Sequence, residues 1–323
     1  MFCMKNFSLL LLMLISVSAC KKDNKIEKEI AEIPIDFIIE RFDKAFGKTT
    51  ASNLAETKKA YPFMFSEKYP DSFWIAKVKD TIQQQLSEET ERVFPTLQQE
   101  KQEIKQLFQH LAFYFAEFRT PRVITTTSNV DYRNKVIVTD TIVLISLDTY
   151  LGSDHEFYLG NQKYIRQNFN KDQIVVDMAS EYADKYIYQL ELKTLLDEMI
   201  YYGKQLYFKD VVIPFKTDAE KIGYTQNQLD WTIANETEVW RFFVEKELLF
   251  STDSKLPNRF INPAPFSKFY LEEIDSESPG QIGRYMGWQI VKAYMKHNDV
   301  SLKDMLQKEP LDIFNNSNFK PKK

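Results

Sequence analysis

The sequence predicts an α+β protein, predominantly helical, with a small central sheet. Three observations carry this reading: apolar residues recur at helical spacing over long stretches, one central block is rich in β-branched residues, and glycine is scarce. The chain has 8 Gly against 25 Phe and 17 Tyr in 323 residues, which argues against a propeller, a collagen-like repeat or a flexible linker protein. Helices, strands and helices follow in that order, so the helices are expected around the sheet in one body.

Residues 1–19 read as a removable export signal. Lys5 is the only charge, an apolar run extends from Phe7 to Val17, and the small residues Ser18 and Ala19 precede Cys20. The run is shorter than the roughly 20 residues that cross a bilayer as a helix. Val17, Ser18, Ala19 and Cys20 match the bacterial lipobox, in which the Cys is acylated and becomes the first residue of the mature chain. More than one acyl chain gives stable anchoring. Cys3 leaves with the signal and Cys20 is modified, so no free thiol remains and disulfides are excluded. Residues 20–32, charged and with two Ile as the only large apolar residues, are expected to be a lipidated flexible tether. Residues 33–323 are expected to form a single helix-rich domain held by its core.

Within that domain, Ile35 to Ile39 suits a short strand, and Arg41 to Phe46 a helical turn ended by Gly47. Helical spacing is clearest from Asp80 to Phe118, through Val93, Leu97, Ile104, Leu107, Leu111, Phe115 and Phe118, with a break or restart at Pro95. After Pro121 come VITTTS, VIVTD and TIVLISLDTYLG, which read as strands. The last of these is nearly continuous in apolar residues, as in a strand buried on both faces or lying beside a site. Val175, Met178, Tyr182, Tyr186 and Leu190 keep one helix face, and Leu195, Met199, Gly203 and Leu206 keep another, so the two helices are expected to pair. Thr237 to Phe250 and Gly280 to His297 also read as helices, joined by the Pro-rich LPNRFINPAPF.

Formal net charge is −4, and no basic block tracks a phosphate backbone, so nucleic acid is not an expected partner. His110, His155 and His297 are isolated, with no H-E-x-x-H, Gly-rich phosphate loop, G-x-S-x-G or C-x-x-C, and read as structural or surface residues. The acidic run Glu272, Glu273, Asp275, Glu277 reads as a solvated loop. Asp177, Glu181 and Asp184 lie at i, i+4 and i+7, so three carboxylates share a helix face; the plainer reading is the hydrated side of an amphipathic helix. Gly283 and Gly287, four apart, suit close approach of another backbone. Tyr201, Tyr202, Trp231 and Trp240 are candidate binding aromatics, though such spacings usually belong to a core.

Ile174 to Phe208 resembles the active-site helix pair of zincin-type zinc peptidases, whose HEYHH-like helix is followed by an E-G pair. In those enzymes two His hold Zn²⁺, the intervening Glu activates water, and a Glu of the next helix completes the ligand set. The matching residues here are Ser180, Glu181, Tyr182, Ala183 and Asp184, then Tyr202 and Gly203. Both His positions and the third carboxylate are changed, leaving Glu181 in the general-base slot, and one hydroxyl with one carboxylate cannot rebuild a three-ligand zinc site. The resemblance therefore implies a zincin-like fold with a degenerate metal site, no cofactor and no catalytic residue. Oxygen-only ligands from Asp177, Glu181, Asp184 and Glu198 would instead favour Ca²⁺, Mg²⁺ or Mn²⁺.

The lipobox, LLDEMIYYGKQLY (Leu195 to Tyr207) and PGQIGRYMGWQIVKAYM (Pro279 to Met295), taken with length and order, resemble the GldB family of gliding-motility lipoproteins of the Bacteroidetes. That resemblance spans essentially the whole mature chain. It implies a non-catalytic component of the envelope machinery that moves adhesins and is coupled to type IX secretion, acting as a binding scaffold for other such proteins. It implies a lipid-anchored position facing the periplasm, at the outer membrane rather than the inner. The competing expectations are an envelope hydrolase with an atypical site, or a carbohydrate- or peptide-binding lipoprotein.

Overall fold

The computed structural model describes residues 25–188 and 191–322; the export signal and Cys20 lie outside them. Helices of seven residues or more are numbered in chain order, and shorter ones are named by residues. The strands are β1 (Ile39–Arg41), β2 (Arg122–Thr126), β3 (Val136–Val138) and β4 (Ile142–Ser146). They form one mixed sheet in the order β1-β2-β4-β3, with β1, β2 and β4 parallel and β3 an antiparallel edge. The apolar run that begins at Thr141 supplies β4, an interior strand, as its composition predicts. Sequence reading places the first strand at Ile35 to Ile39; the ladder instead starts at Ile39, where pairing with Val123 begins.

Before the sheet the chain forms α1 (residues 25–31). This corrects the boundary of the expected tether. Ile30 is buried, Gln109 Nε2 donates to the carbonyls of Ala31 and Ile33 (2.9 and 3.0 Å), and His110 Nε2 sits 3.3 Å from the Glu27 carboxylate. A single buried Ile and two side-chain bonds from Gln109 dock what composition alone reads as a solvated linker.

The helix Phe42–Gly47, α2 (Leu54–Ala60) and α3 (Asp71–Val78) build a satellite core on one sheet face, with Phe42, Phe46, Phe65 and Trp74 against Ile124. α4 (Thr81–Val93) and α5 (Gln98–Tyr114) flank Pro95, which interrupts the helix as expected. The main core includes α5, α6 (Ile174–Tyr186), α7 (Leu195–Val212) and α10 (Ile282–His297). α8 (Gln226–Ala234), α9 (Glu236–Glu245) and α11 (Pro310–Ser317) close its periphery. The helix predicted from Thr237 to Phe250 stops at Glu245, and Glu247 turns the chain with φ 52°. The acidic run is a short helix, Glu272–Glu277, whose Asp275 accepts the amides of Phe269 and Tyr270.

Two helices set the frame of the centre. α7 starts on a capping box: Thr194 Oγ1 accepts the Asp197 amide and Asp197 accepts the Thr194 amide. Its stripe Leu195, Met199, Gly203 and Leu206 is buried as predicted. α10 crosses α7 in the most extensive helix contact among the described residues. A Cβ on Gly203 would lie 2.4 Å from the Gly287 carbonyl, and one on Gly287 would lie 1.7 Å from Met199 O. Gly287 therefore has the packing role its spacing suggests, and Gly283 meets Phe260 O and Ile261 in the same way.

Buried lysines tie later segments of the chain to α7. Lys204 donates to the carbonyls of Leu306 and Lys308, and Lys209 to the carbonyl of Lys221. Burial lowers both ammonium groups to about 8.

Candidate functional site

α6 packs on α7 and against the edge strand β3. Its apolar face, Val175, Met178 and Tyr182, is buried, with Tyr186 half-buried. That leaves Asp177, Ser180, Glu181 and Asp184 toward the other side. Each acid has a distinct setting. Asp177 accepts the hydroxyl of the buried Tyr150 at 2.8 Å and pairs with Lys135 of the β3 approach at 2.5 Å. Asp184 accepts Tyr201 Oη at 2.9 Å and is also held by Gln205. Ser180 Oγ donates back to Val176 O at 3.1 Å, a local bond that uses its hydroxyl proton.

Glu181 stands between the two aspartates. Its side chain is reached by water, yet protein surrounds it, and the desolvation together with the charges of Asp184 and Asp177 raises its carboxyl to about 7. A carboxyl with that titration can hold or release a proton near neutral pH. The carboxylates are nevertheless spread along the helix: among the described residues, no group of three or more His, Cys, Asp or Glu could hold a metal ion. The donor set does not fit zinc.

On the facing side, Tyr202 of α7 carries the Arg284 guanidinium of α10 over its ring at 3.8 Å. Arg284 Nε donates to Ile261 O at 2.7 Å, and burial lowers its basicity, while Tyr202, Tyr224, Glu198 and Asp184 act in the other direction. Glu198, one turn before Tyr202, is raised by its own burial and lowered by Arg284.

A scan against family models finds that residues 23–321 match that of the gliding motility protein GldB. The chain belongs to the GldB family. Neither a curated protein nor a solved structure matches it.

In this GldB-family chain Ser180, Glu181 and Asp184 share α6, while Tyr202 stands on the neighbouring α7 with its ring against Tyr201, which bonds Asp184. Sequence reading misses Arg284, Lys135 and Tyr150. Arg284 lies inside the PGQIGRYMGW segment that drew notice for its glycines, and a lone Arg in a helix that packs into the core is the signal that could have found it. Beside the Lys135 end lies a cleft of about 200 Å³, lined by Tyr132, Tyr164, Gln167, Asn168 and Gln281 among others.

The other candidate aromatics are structural. Tyr201, Tyr202, Trp231 and Trp240 pack against the main core. Trp231 also borders a second groove of about 380 Å³, with Phe242, Phe269, Leu271 and Ile274 along it and Glu238 and Glu245 on its rim. His155 pairs with Glu89, and His297 Nδ1 lies 2.8 Å from the carbonyls of Ala293 and Ser317. No helix of the described residues is long and apolar enough to cross a membrane.

Proposed function

We propose that this gliding-motility protein is a non-catalytic envelope lipoprotein, anchored through Cys20 and facing the periplasm at the outer membrane. It binds other components of the motility and type IX secretion machinery. Its body is a zincin-like one in which the peptidase site has become a packed joint between helices. The mixed sheet with an antiparallel edge strand beside α6, and the α6–α7 pair, support the zincin-like reading.

One observation carries the non-catalytic reading: the side chains of Ser180, Asp184 and Tyr202 are each taken up by other groups of the protein. Ser180 bonds its own helix, Asp184 is held by Tyr201 and Gln205, and Tyr202 lies under Arg284. Such a joint rigidifies a scaffold. The reading expects Glu181→Gln to leave gliding and protein level unchanged in cells, while Arg284→Ala, which removes the stacked cation and its bond to Ile261, lowers both together. Loss of gliding by Glu181→Gln at normal protein level overturns it.

A second reading rests on Glu181. A carboxyl titrating at about 7 beside two aspartates suits metal-free acid–base hydrolysis. It expects a hydrolytic rate that rises or falls through neutral pH and disappears in Glu181→Gln. A peptide and glycoside substrate screen with no rate above the variant's ends this reading.

A further inference from the structure

One face collects apolar side chains that neither core covers. Ile38 is 68 %, Phe63 43 %, Tyr69 47 % and Phe73 39 % exposed. All four lie in or border the segments that build the satellite core. Ile38 leads directly into β1, and on β2 the Arg122 guanidinium pairs with Glu40 of β1 and lies over the Phe63 ring at 5.3 Å. Tyr69 and Phe73 stack at 4.2 Å and both meet Trp74, which is packed into the satellite core. The face therefore stands on a fixed base.

Its charge suits a headgroup layer. Lys59, Lys68, Lys77 and Lys79, interspersed in sequence with these rings, are exposed. Between Lys58 and Lys79 the only acids are Glu67 and Asp71, and Asp71 is taken up by Lys58. Aromatic rings with lysines beside them are the side chains that settle at a membrane–water interface. The groove near Ile274 is apolar too, but its lining carries Glu238, Arg241 and Glu245, and with Arg241 paired to Glu238 the remaining charge is the Glu245 carboxylate.

Chain length selects the same occupant. Only four residues lie between Cys20 and Lys25, a reach of at most about 18 Å. α1 is pinned to α5 by Gln109 and buried Ile30, and the chain runs from Ala31 to Ile38 within about 24 Å. Acyl chains on Cys20 thus keep the bilayer within a short tether of α1, from which the chain runs on to Ile38. We infer that the face formed by Ile38, Phe63, Tyr69 and Phe73 rests on the phospholipid leaflet that holds Cys20. The inference depends on the lipoprotein reading.

The mature chain has no thiol other than Cys20, so single cysteines can carry a fluorescent probe. Full-length acylated protein with Phe63→Cys, Phe73→Cys or Phe250→Cys is labelled with an environment-sensitive dye. It is then reconstituted in phosphatidylethanolamine–phosphatidylglycerol vesicles containing lipids with a quencher near the headgroup. Phe250 is the reference, an exposed ring beside Phe314 elsewhere on the body. Lys68→Cys replaces Phe73→Cys should that variant not fold. Quenching several-fold stronger at 63 and 73 than at 250 supports the face. Flotation with equal quenching at all three overturns the face alone, whereas failure of the wild-type protein to float with vesicles overturns the anchor and the face together.

Discussion

The crossing of α7 and α10 makes a quantitative prediction. In Gly287→Ala the new methyl would sit 1.7 Å from Met199 O and 2.3 Å from Met199 C. Both are backbone atoms, with no flexible side chain to swing away, so the helices must separate. Overpacking of a well-packed core costs about 1–3 kcal/mol, and a backbone-on-backbone clash belongs at the upper end, about 3 kcal/mol. Alanine returns up to about 1 kcal/mol in helix propensity. The net loss is about 2 kcal/mol or more, which at roughly 2–4 °C per kcal/mol for chains of this order lowers Tm by at least about 4 °C. Gly160→Ala is the internal control, since a Cβ there meets nothing within 4 Å and no positive φ forbids it. Thermal unfolding followed by circular dichroism reads both variants. If Gly287→Ala melts within about 1 °C of the wild type, the helices do not touch backbone to backbone and the argument for a rigid joint fails.

Other expectations follow from buried polar groups. Lys204 is held at about 8 in the folded protein against an ordinary value of 10.5. Between those values the unfolded chain binds the extra proton, so the Lys204 contribution grows as pH rises. The stability of wild type minus Lys204→Met should increase by about 2 kcal/mol from pH 7.5 to 9.5 in urea unfolding; a flat difference refutes the lowered value. Asp148, fully buried, accepts the amides of Ser128 and Val130 and fixes a loop in which Asn129 and Val130 both have φ 58°. Asp148→Asn should cost about 2–3 kcal/mol, measured as a shift in the urea midpoint, and a neutral result would show that the loop holds itself.

The sequence makes the helical frame legible where periodicity is long. The stripe Leu195, Met199, Gly203, Leu206 and the break at Pro95 translate directly into α7 and the α4–α5 junction, because both depend on local sterics and burial. The three β-branched blocks become β2, β3 and β4 for the same reason. What stays hidden depends on contacts distant in sequence. α1 is fixed by Gln109, 78 residues away from Ala31, so charge density in residues 21–32 suggests a linker where a helix docks. At the candidate site, Ser180, Glu181, Asp184 and Tyr202 could be named from spacing and resemblance. The engagement of Asp184 by Gln205 and Tyr201, and of Tyr202 by Arg284, could not, since it depends on three helices meeting and on which rotamers that meeting leaves open.

The buried lysines have a use outside stability. Lys204 and Lys209, with Lys216 and Lys221, are each less than a tenth exposed, while Lys59, Lys68 and Lys77 stand in water. An amine-reactive ester applied to the detergent-solubilised protein would therefore modify the second set and spare the first. The ratio read by mass spectrometry then becomes a native-state gauge carried by the unmodified protein. It would separate a variant that has lost a partner from one that has lost its shape, without any tag or antibody.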